Sequence, residues 1–184
     1  MTVRSIRLVG DPVLRTPATE VTDFDKALGR LVGDLTETLH DAGGAGLAAP
    51  QIGVGLRVFA YALVDPDDPE RLRYGHLVNP VLEASEDSLE DEEGCLSIPG
   101  LVCTLARPRR IVARGFDTHG EPLEIVGTER LARCLAHETD HLDGVLFIDR
   151  LEGFARKRAL RAVREMLESG IDVTVKVSPH VPLG

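Results

Sequence analysis

Residues 137–141 read His-Glu-Thr-Asp-His, a pattern whose residue types and spacing are typical of a metal-binding helix. Histidines four positions apart on a helix lie on one face, so His137 and His141 can hold a single cation. Glu138 points to a different side, where its carboxylate can contact a metal-bound water. The pattern therefore predicts a metallohydrolase site. The alternative is an amphipathic helix whose polar residues match the pattern by chance, with its leucines packed in the core.

A catalytic metal site usually takes three protein ligands and keeps one position for water, so a third ligand must come from elsewhere. The candidates are the carboxylates, the other histidines and the three cysteines, Cys95, Cys103 and Cys134. Cys134 precedes His137 by three residues and can line the site, although a small core residue is its simpler interpretation. Cys103 lies among alternating apolar residues and is expected to pack. Cys95 follows Gly94, where the backbone is expected to turn and expose a thiolate that would complete a Cys-His-His site.

The elements that must position these residues suggest an α+β fold, because strands gather in the middle of the chain and no regular βαβ alternation appears. Apolar spacing predicts helices over 23–42 and 153–169, and a third helix that carries the histidines between Thr128 and Asp143-Gly144. Glycines are expected to end the first helix at Gly43-Gly44. The predicted extended segments are 56–63, 76–84, 101–106 and a hairpin over 110–127 with its turn near Thr118-His119-Gly120. The stretches 65–75 and 85–94 are predicted as polar loops, and the tail after Ser169 is left unassigned.

Composition sets the broad class of the protein. A chain of 184 residues is expected to form one domain, residues 1–184, with a substantial core. The formal net charge of -9 argues against DNA as a partner. No apolar run is long enough to span a bilayer, and the N-terminus does not resemble a signal peptide, so we expect a cytoplasmic protein that does not bind membranes.

Three stretches together resemble the signature motifs of bacterial peptide deformylases. They are Gly44–Gln51 (GAGLAAPQ), Glu93–Ser97 (EGCLS) and His137–His141 (HETDH), in the family's order and with similar spacing. Flanking segments also match, so the resemblance covers roughly residues 6–152. It implies an α+β fold in which antiparallel sheets surround a central metal-bearing helix, with one helix near each end of the chain. It also implies a single peptide-deformylase-like catalytic domain.

The activity implied by the resemblance is removal of the N-formyl group from the initiator methionine of nascent polypeptides, with release of formate. Cys95, His137 and His141 would hold one divalent metal, and a metal-bound hydroxide would attack the formyl carbon. Glu138 would act as general base and then general acid. The family favours Fe(II) as the working ion, while zinc, nickel and cobalt are compatible with the same ligands.

The resemblance also assigns the groups that bind the substrate. The matching glutamine, Gln51, and the backbone N–H of Leu96 would stabilise the oxyanion. The backbone groups of Gly46 and Gly94 would pair with the extended peptide. A methionine pocket would have Ala45 and Cys134 as walls. Without the other motifs, Gln51 and its glycines would be read as a helix end followed by a turn.

This sequence departs from the family at Val102, where many members carry an arginine that holds the peptide, while Arg107 is expected to match a second, structural arginine. We therefore expect weaker peptide binding with the chemistry intact. A helix over 153–169 carries Arg156, Lys157, Arg158, Arg161 and Arg164, and it is either a solvated surface or a contact for the ribosome. Two other functions stay open: a different metallohydrolase such as a peptidase, and a non-catalytic, ribosome-associated metal-binding module.

Overall fold

Three α-helices flank and fill a framework of antiparallel strands in the computed structural model, which describes residues 2–65 and 68–170. Helix α1 spans Lys26–Ala42, α2 spans Glu129–Leu142 and α3 spans Gly153–Glu168. Asp25 caps α1 by accepting hydrogen bonds from two backbone N–H groups, and Gly43 ends it in the left-handed region at φ 64°. Short 3₁₀ helices cover Pro12–Arg15, Ala49–Ile52 and Phe147–Asp149.

The strands form two antiparallel sheets. They are β1 (Gly46–Ala48), β2 (Val58–Asp65), β3 (Asp68–Ala84), β4 (Ser88–Cys95), β5 (Ile98–Pro108), β6 (Arg110–Phe116) and β7 (Pro122–Thr128). A five-stranded sheet has the order β1-β2-β3-β6-β7, and β4 pairs with β5 in a two-stranded sheet. Strand β1 is thus an edge strand of the larger sheet, and β4 has one unpaired side in the smaller one.

Helix α2 is the central element, since every residue from Cys134 to Leu142 is buried. It contacts strands of both sheets. Leu135 and Leu142 pack against residues of the larger sheet such as Phe59 and Leu77. The α+β fold with a helix between two antiparallel sheets is therefore confirmed, and so is the position of the other two helices toward the chain ends. In the described ranges, no helix combines the length and the apolar character that crossing a membrane requires.

Two predicted loops are wrong. Strand β3 already begins at Asp68, because the stretch that was predicted as a loop pairs with β2, for example Tyr74 with Ala62. The acidic stretch 85–94 lies mostly in β4, whose partners on β5 run from Ser88↔Pro108 to Gly94↔Val102. Most acidic side chains of β4 are exposed to water in this two-stranded sheet, so their charges do not prevent the strand from forming.

The smaller local predictions have mixed outcomes. The hairpin is confirmed, with β6 and β7 joined at a turn in which Gly120 has φ 81°. Thr128 lies at the N-cap of α2, but its side chain makes no capping hydrogen bond. Cys103 is partly buried and packs against a core cluster, as expected. Residues 147–149 form a short 3₁₀ helix, and residues 171–184 lie outside the described ranges.

Candidate active site and metal centre

The polar face of α2 brings His137, Glu138 and His141 into the interior of the protein. Their exposed fractions are 9%, 3% and 1%. Leucines on the opposite side hold the helix in the core, and the chain leaves it through Asp143 and Gly144, the latter at φ 72°. Three titratable side chains buried side by side require partners, because burying an unpaired charge or polar group is costly.

Cys95 reaches the same point from β4. The pairing of β4 with β5 shifts its register between Gly94 and Cys95, and such a bulge turns the side chain that follows it. The thiol is 2% exposed, so the expectation of an exposed cysteine in a loop is wrong, although its direction toward the histidines is as predicted. Its Sγ lies 3.2 Å from Nε2 of His141. One ligand atom each from Cys95, His137 and His141 lies within 4.8 Å of the others.

A buried ion-pair network stands behind His137. Glu93 Oε1 lies 2.7 Å from His137 Nδ1, which leaves the other ring nitrogen for a metal. Arg107 donates to both oxygens of Glu93, at 2.6 and 3.0 Å, and to Asp140 at 2.7 Å. Arg133 donates to Glu93 at 2.9 Å. The sequence alone does not identify Glu93, Asp140 and Arg133 as supports of the site, and its one relevant signal is that Glu93 begins the EGCLS motif.

The charges of this network shift several pKa values. Burial would raise the pKa of Glu93, but hydrogen bonds from His137 and Arg107 outweigh it and hold the pKa well below its ordinary value. Burial and the neighbouring His137 lower the pKa of His141 well below its ordinary value. Burial would also lower the pKa of His137. Hydrogen bonds with Cys95 and Glu93 outweigh burial there, so the pKa of His137 is raised well above its ordinary value.

The donor set fits a divalent cation. A thiol sulfur and two imidazole nitrogens converge in a buried pocket, and His141 is held in the neutral state that metals bind. One imidazole has a carboxylate behind it, as metal-ligating histidines commonly do. Sulfur and nitrogen ligands of this kind suit zinc, iron, cobalt and nickel.

Glu138 follows His137 on the same helix and lines the same cleft as Cys95 and His137. Its Oε2 is buried and finds no hydrogen-bond partner within the described part of the chain. Burial raises the pKa of this carboxyl to about 7. The carboxylate lies directly against β1, since a Cβ atom built on Gly46 would stand 2.3 Å from Glu138 Oε1.

The predicted substrate-binding residues line a single cleft of about 250 Å³ that opens onto the site. Gly46 contributes to it from β1 and Gly94 from β4, so strands of both sheets line the opening. Ala45 and Cys134 form one wall, where the Cys134 thiol donates to the Ala45 carbonyl at 3.4 Å. Burial raises the pKa of the Cys134 thiol well above its ordinary value, so the wall is neutral. Leu96 lines the cleft as well.

Gln51 lies at the inner end of the cleft and is 1% exposed. Its Oε1 accepts from the Ala48 N–H at 2.8 Å, and its Nε2 donates to Ser97 Oγ at 3.1 Å. The same Nε2 lies 3.7 Å from Cys95 Sγ. The structure thus brings Gln51 together with the candidate metal ligand Cys95, and it adds Ser97, a contact that the sequence does not predict.

The outer cleft contains Val102, the position at which the sequence departs from the motifs that it resembles. Val102 lines it and is 45% exposed. Arg130 and Arg133 also line the cleft. Arg133 is held by Glu93 and by the Leu89 carbonyl. Arg107 is 6% exposed and buried in the ion-pair network, in agreement with its predicted structural role.

Comparisons with known proteins agree with this geometry. The family model described as Polypeptide deformylase matches residues 3–157. A peptide deformylase of Acidothermus cellulolyticus is 59% identical over 184 residues, which are 100% of this chain and 98% of the relative. Peptide deformylase 2 of Streptomyces avermitilis is 50% identical over 86% of this chain and 85% of its own length.

Solved structures give the same result. The peptide deformylase of Thermus thermophilus superposes with a TM-score of 0.83 at 40% identity, covering 91% of this chain and 97% of that one. The Ehrlichia chaffeensis enzyme, solved in complex with actinonin, has a TM-score of 0.80 at 36% identity, with 90% and 98% covered. The family match spans most of the chain, so the chain belongs to the polypeptide deformylase family.

Proposed function

We propose that this protein removes the N-formyl group from the N-formylmethionine of nascent polypeptides and releases formate. The observation that carries the proposal is the convergence of Cys95, His137 and His141 within 4.8 Å, beside a buried carboxylate oxygen that has no partner in the described residues. Family membership supports the reaction class.

Cys95, His137 and His141 are proposed to hold one divalent cation. When bound, such a cation acts as a Lewis acid that makes water a nucleophile near neutral pH. The protein contributes the orientation of the ligands: Glu93 fixes the ring of His137, and the bulge at Gly94 fixes Cys95.

Glu138 is proposed as the group that moves protons. Its free Oε2 is the acceptor for the proton of the attacking water, and the same oxygen then gives the proton to the departing amine. Glu138 is only 3% exposed, so the surrounding residues exclude bulk water and limit loss of that proton to solvent.

The Gln51 amide and the backbone N–H of Leu96 are proposed as donors to the developing oxyanion, because both residues line the inner cleft. The backbone groups of Gly46 and Gly94 are proposed to pair with the peptide as an added strand, since both lie on strands that line the cleft and β1 is an edge strand. The neutral, apolar wall of Ala45 and Cys134 is proposed to receive the methionine side chain.

The test is formate release from a formyl-Met-Ala-Ser peptide by protein purified anaerobically with Fe(II). Wild type should release formate, and Glu138→Gln, which keeps the shape of the side chain, should lose at least about 100-fold in kcat. Metal bound in full with no formate released would overturn the proposal, and hydrolysis of an internal peptide bond instead would favour a peptidase.

Fe(II) is proposed as the working ion. Protein purified under argon should contain close to one iron per chain and lose activity in air as Cys95 oxidises and metal is released. Reconstitution with Ni(II), which oxygen does not readily oxidise, should give an active enzyme that loses its activity in air more slowly. Anaerobic protein that contains only zinc, with full activity, would contradict iron as the ion.

Helix α3 is proposed as a transient contact for the ribosome. Its five basic side chains, Arg156, Lys157, Arg158, Arg161 and Arg164, are all exposed in a chain of net charge -9. Co-sedimentation with ribosomes should weaken in a Lys157→Glu, Arg164→Glu variant, and the difference from wild type should shrink at high salt, because salt screens the contact. The matched control is Lys26→Glu, Arg30→Glu on α1, which changes the net charge equally. Equal weakening in both variants would indicate that only net charge matters.

A further inference from the structure

The side-chain amide of Gln51 has an orientation that its surroundings determine. The Ala48 N–H can only donate, so the Gln51 atom that it contacts at 2.8 Å must be the oxygen. The nitrogen therefore faces Ser97 Oγ at 3.1 Å and Cys95 Sγ at 3.7 Å. One N–H is taken by Ser97, and the other is directed toward the thiol and the cleft.

Ser97 is well placed to hold this amide, because its own backbone is fixed. Its exposed fraction is 0%, and its N–H donates to Cys95 Sγ at 3.4 Å. Its carbonyl accepts from the Val9 N–H at 2.8 Å, and the Gln51 carbonyl accepts from the Arg7 N–H at 2.7 Å. The same short N-terminal segment thus binds both backbones and sets the distance between the two side chains.

We propose that Ser97 is a positioning residue for the reaction: its hydroxyl accepts one amide N–H of Gln51 and thereby keeps the other N–H directed at the reacting group. The terminal torsion of a glutamine is broad and has no staggered minimum of its own, so a neighbour must fix it. The proposal rests on the proposed function, in which Gln51 donates to the oxyanion. Ser97 acts through Gln51 and does not touch the substrate.

The kinetic test is a double-mutant cycle on formate release. Ser97→Ala should lower kcat roughly threefold to tenfold and change KM less than about twofold, since one hydrogen bond is lost. Gln51→Ala should lower kcat roughly 100- to 1000-fold. In the Gln51→Ala background, Ser97→Ala should have almost no further effect. The same fold-loss in both backgrounds would overturn the proposal.

A second measurement does not depend on activity. The chain contains one glutamine, Gln51, and one asparagine, Asn79, so a ¹⁵N–¹H spectrum of the zinc-loaded protein has only two side-chain amide groups. In wild type the Gln51 amide hydrogens should exchange slowly with solvent. In Ser97→Ala they should exchange at least about tenfold faster. The Asn79 amide, which donates to the Val21 carbonyl, is the internal control and should not change.

The two measurements separate this inference from the proposed function. If wild-type protein releases no formate but its Gln51 amide hydrogens are protected from exchange, the proposed function is wrong while the hydrogen bond between Gln51 and Ser97 is supported. Fast exchange of the Gln51 hydrogens in wild type would overturn the inference, whether or not any variant folds. Ser97→Thr, which retains the hydroxyl, should restore both kcat and protection. Ser85→Ala, which removes a serine acceptor of the Arg110 N–H outside the cleft, should leave kcat unchanged.

Discussion

Gly46 and the carboxylate of Glu138 share one small volume between β1 and α2. A Cβ on Gly46 would meet three atoms of the Glu138 side chain at 2.3 to 2.8 Å. Since a real Cβ does not approach other atoms so closely, the carboxylate would have to move. The glycine is therefore required by space at this position and not by an unusual backbone torsion.

Gly46→Ala is accordingly expected to lower kcat roughly tenfold to 100-fold, because a shift of about 1 Å in a proton-transferring group has that effect. The matched control is Gly29→Ala on α1, where a Cβ meets nothing within 4 Å. That control should keep full formate release and raise the free energy of unfolding by about 0.5–1 kcal/mol. Equal kcat in Gly46→Ala and wild type would mean that the Glu138 carboxylate acts from another position.

Val102 is the position at which we expect this protein to bind its peptide substrate more weakly than relatives that carry an arginine there. Its side chain lines the cleft and is 45% exposed, so an arginine fits there without burial of its charge. Val102→Arg should lower KM for a formylated tripeptide roughly tenfold with kcat nearly unchanged, because a charged hydrogen bond is added. Val126→Arg on β7, at 49% exposure, tests whether added charge alone has this effect. An unchanged KM in Val102→Arg would contradict the interpretation.

At the scale of elements, α2 is held to the two-stranded sheet by buried charges. Arg107 on β5 joins Glu93 on β4 to Asp140 on α2, and all three are at most 6% exposed. Arg114 offers a comparison, because it also bridges two carboxylates, Glu83 and Glu124, but on the surface. Removing a buried partner leaves charges without compensation, whereas exposed charges are solvated in any case.

Arg107→Ala should therefore lower the free energy of unfolding by about 3–5 kcal/mol and weaken metal binding, because Glu93 no longer has a fixed position behind His137. Arg114→Ala should have a much smaller effect on stability and none on metal affinity. Urea unfolding and competition with a chelator measure the two quantities. Similar losses in both variants would show that the buried network does not support the ligand.

These elements also show what local sequence could predict. Periodicity located α1, α2 and α3 within a few residues, because each buries an amphipathic face. It failed for β4, since the strand exists through its pairing with β5 and its acidic side chains carry no apolar alternation. The three ligands were predictable from residue type and motif. Glu93, Asp140 and Ser97 were not, because their roles depend on contacts between distant segments.

At the scale of the whole molecule, the N-terminal segment connects α1 to the site. The Thr2 N–H and the Arg4 guanidinium donate to Asp34 at 2.8 Å, and the Arg4 N–H donates to Thr38. A few residues later, the segment pairs with Gln51 and with Ser97. One short N-terminal stretch therefore fixes the positions of helix α1, the inner cleft and the end of β4 relative to one another.

Asp34 is the charged residue of α1 that binds the N-terminal segment, and its contribution to the free energy of unfolding should depend on pH. Burial raises the pKa of this carboxyl, but the hydrogen bonds from Arg4 and Thr2 outweigh it and lower the pKa below its ordinary value of 3.8. A carboxylate with a lowered pKa in the folded state stabilises the fold above the unfolded pKa. Its contribution is lost as the pH falls through the lowered value.

Asp34→Asn should lower the free energy of unfolding by about 1 kcal/mol at pH 7, a small value because the Arg4 side chain is 57% exposed and solvent screens the pair. The difference between wild type and variant should stay constant from pH 7 to about pH 5 and shrink below about pH 4. Urea unfolding across this range measures it, with Glu37→Gln on the same helix as the control. A difference that persists unchanged at low pH would show that Asp34 acts through its shape and not its charge.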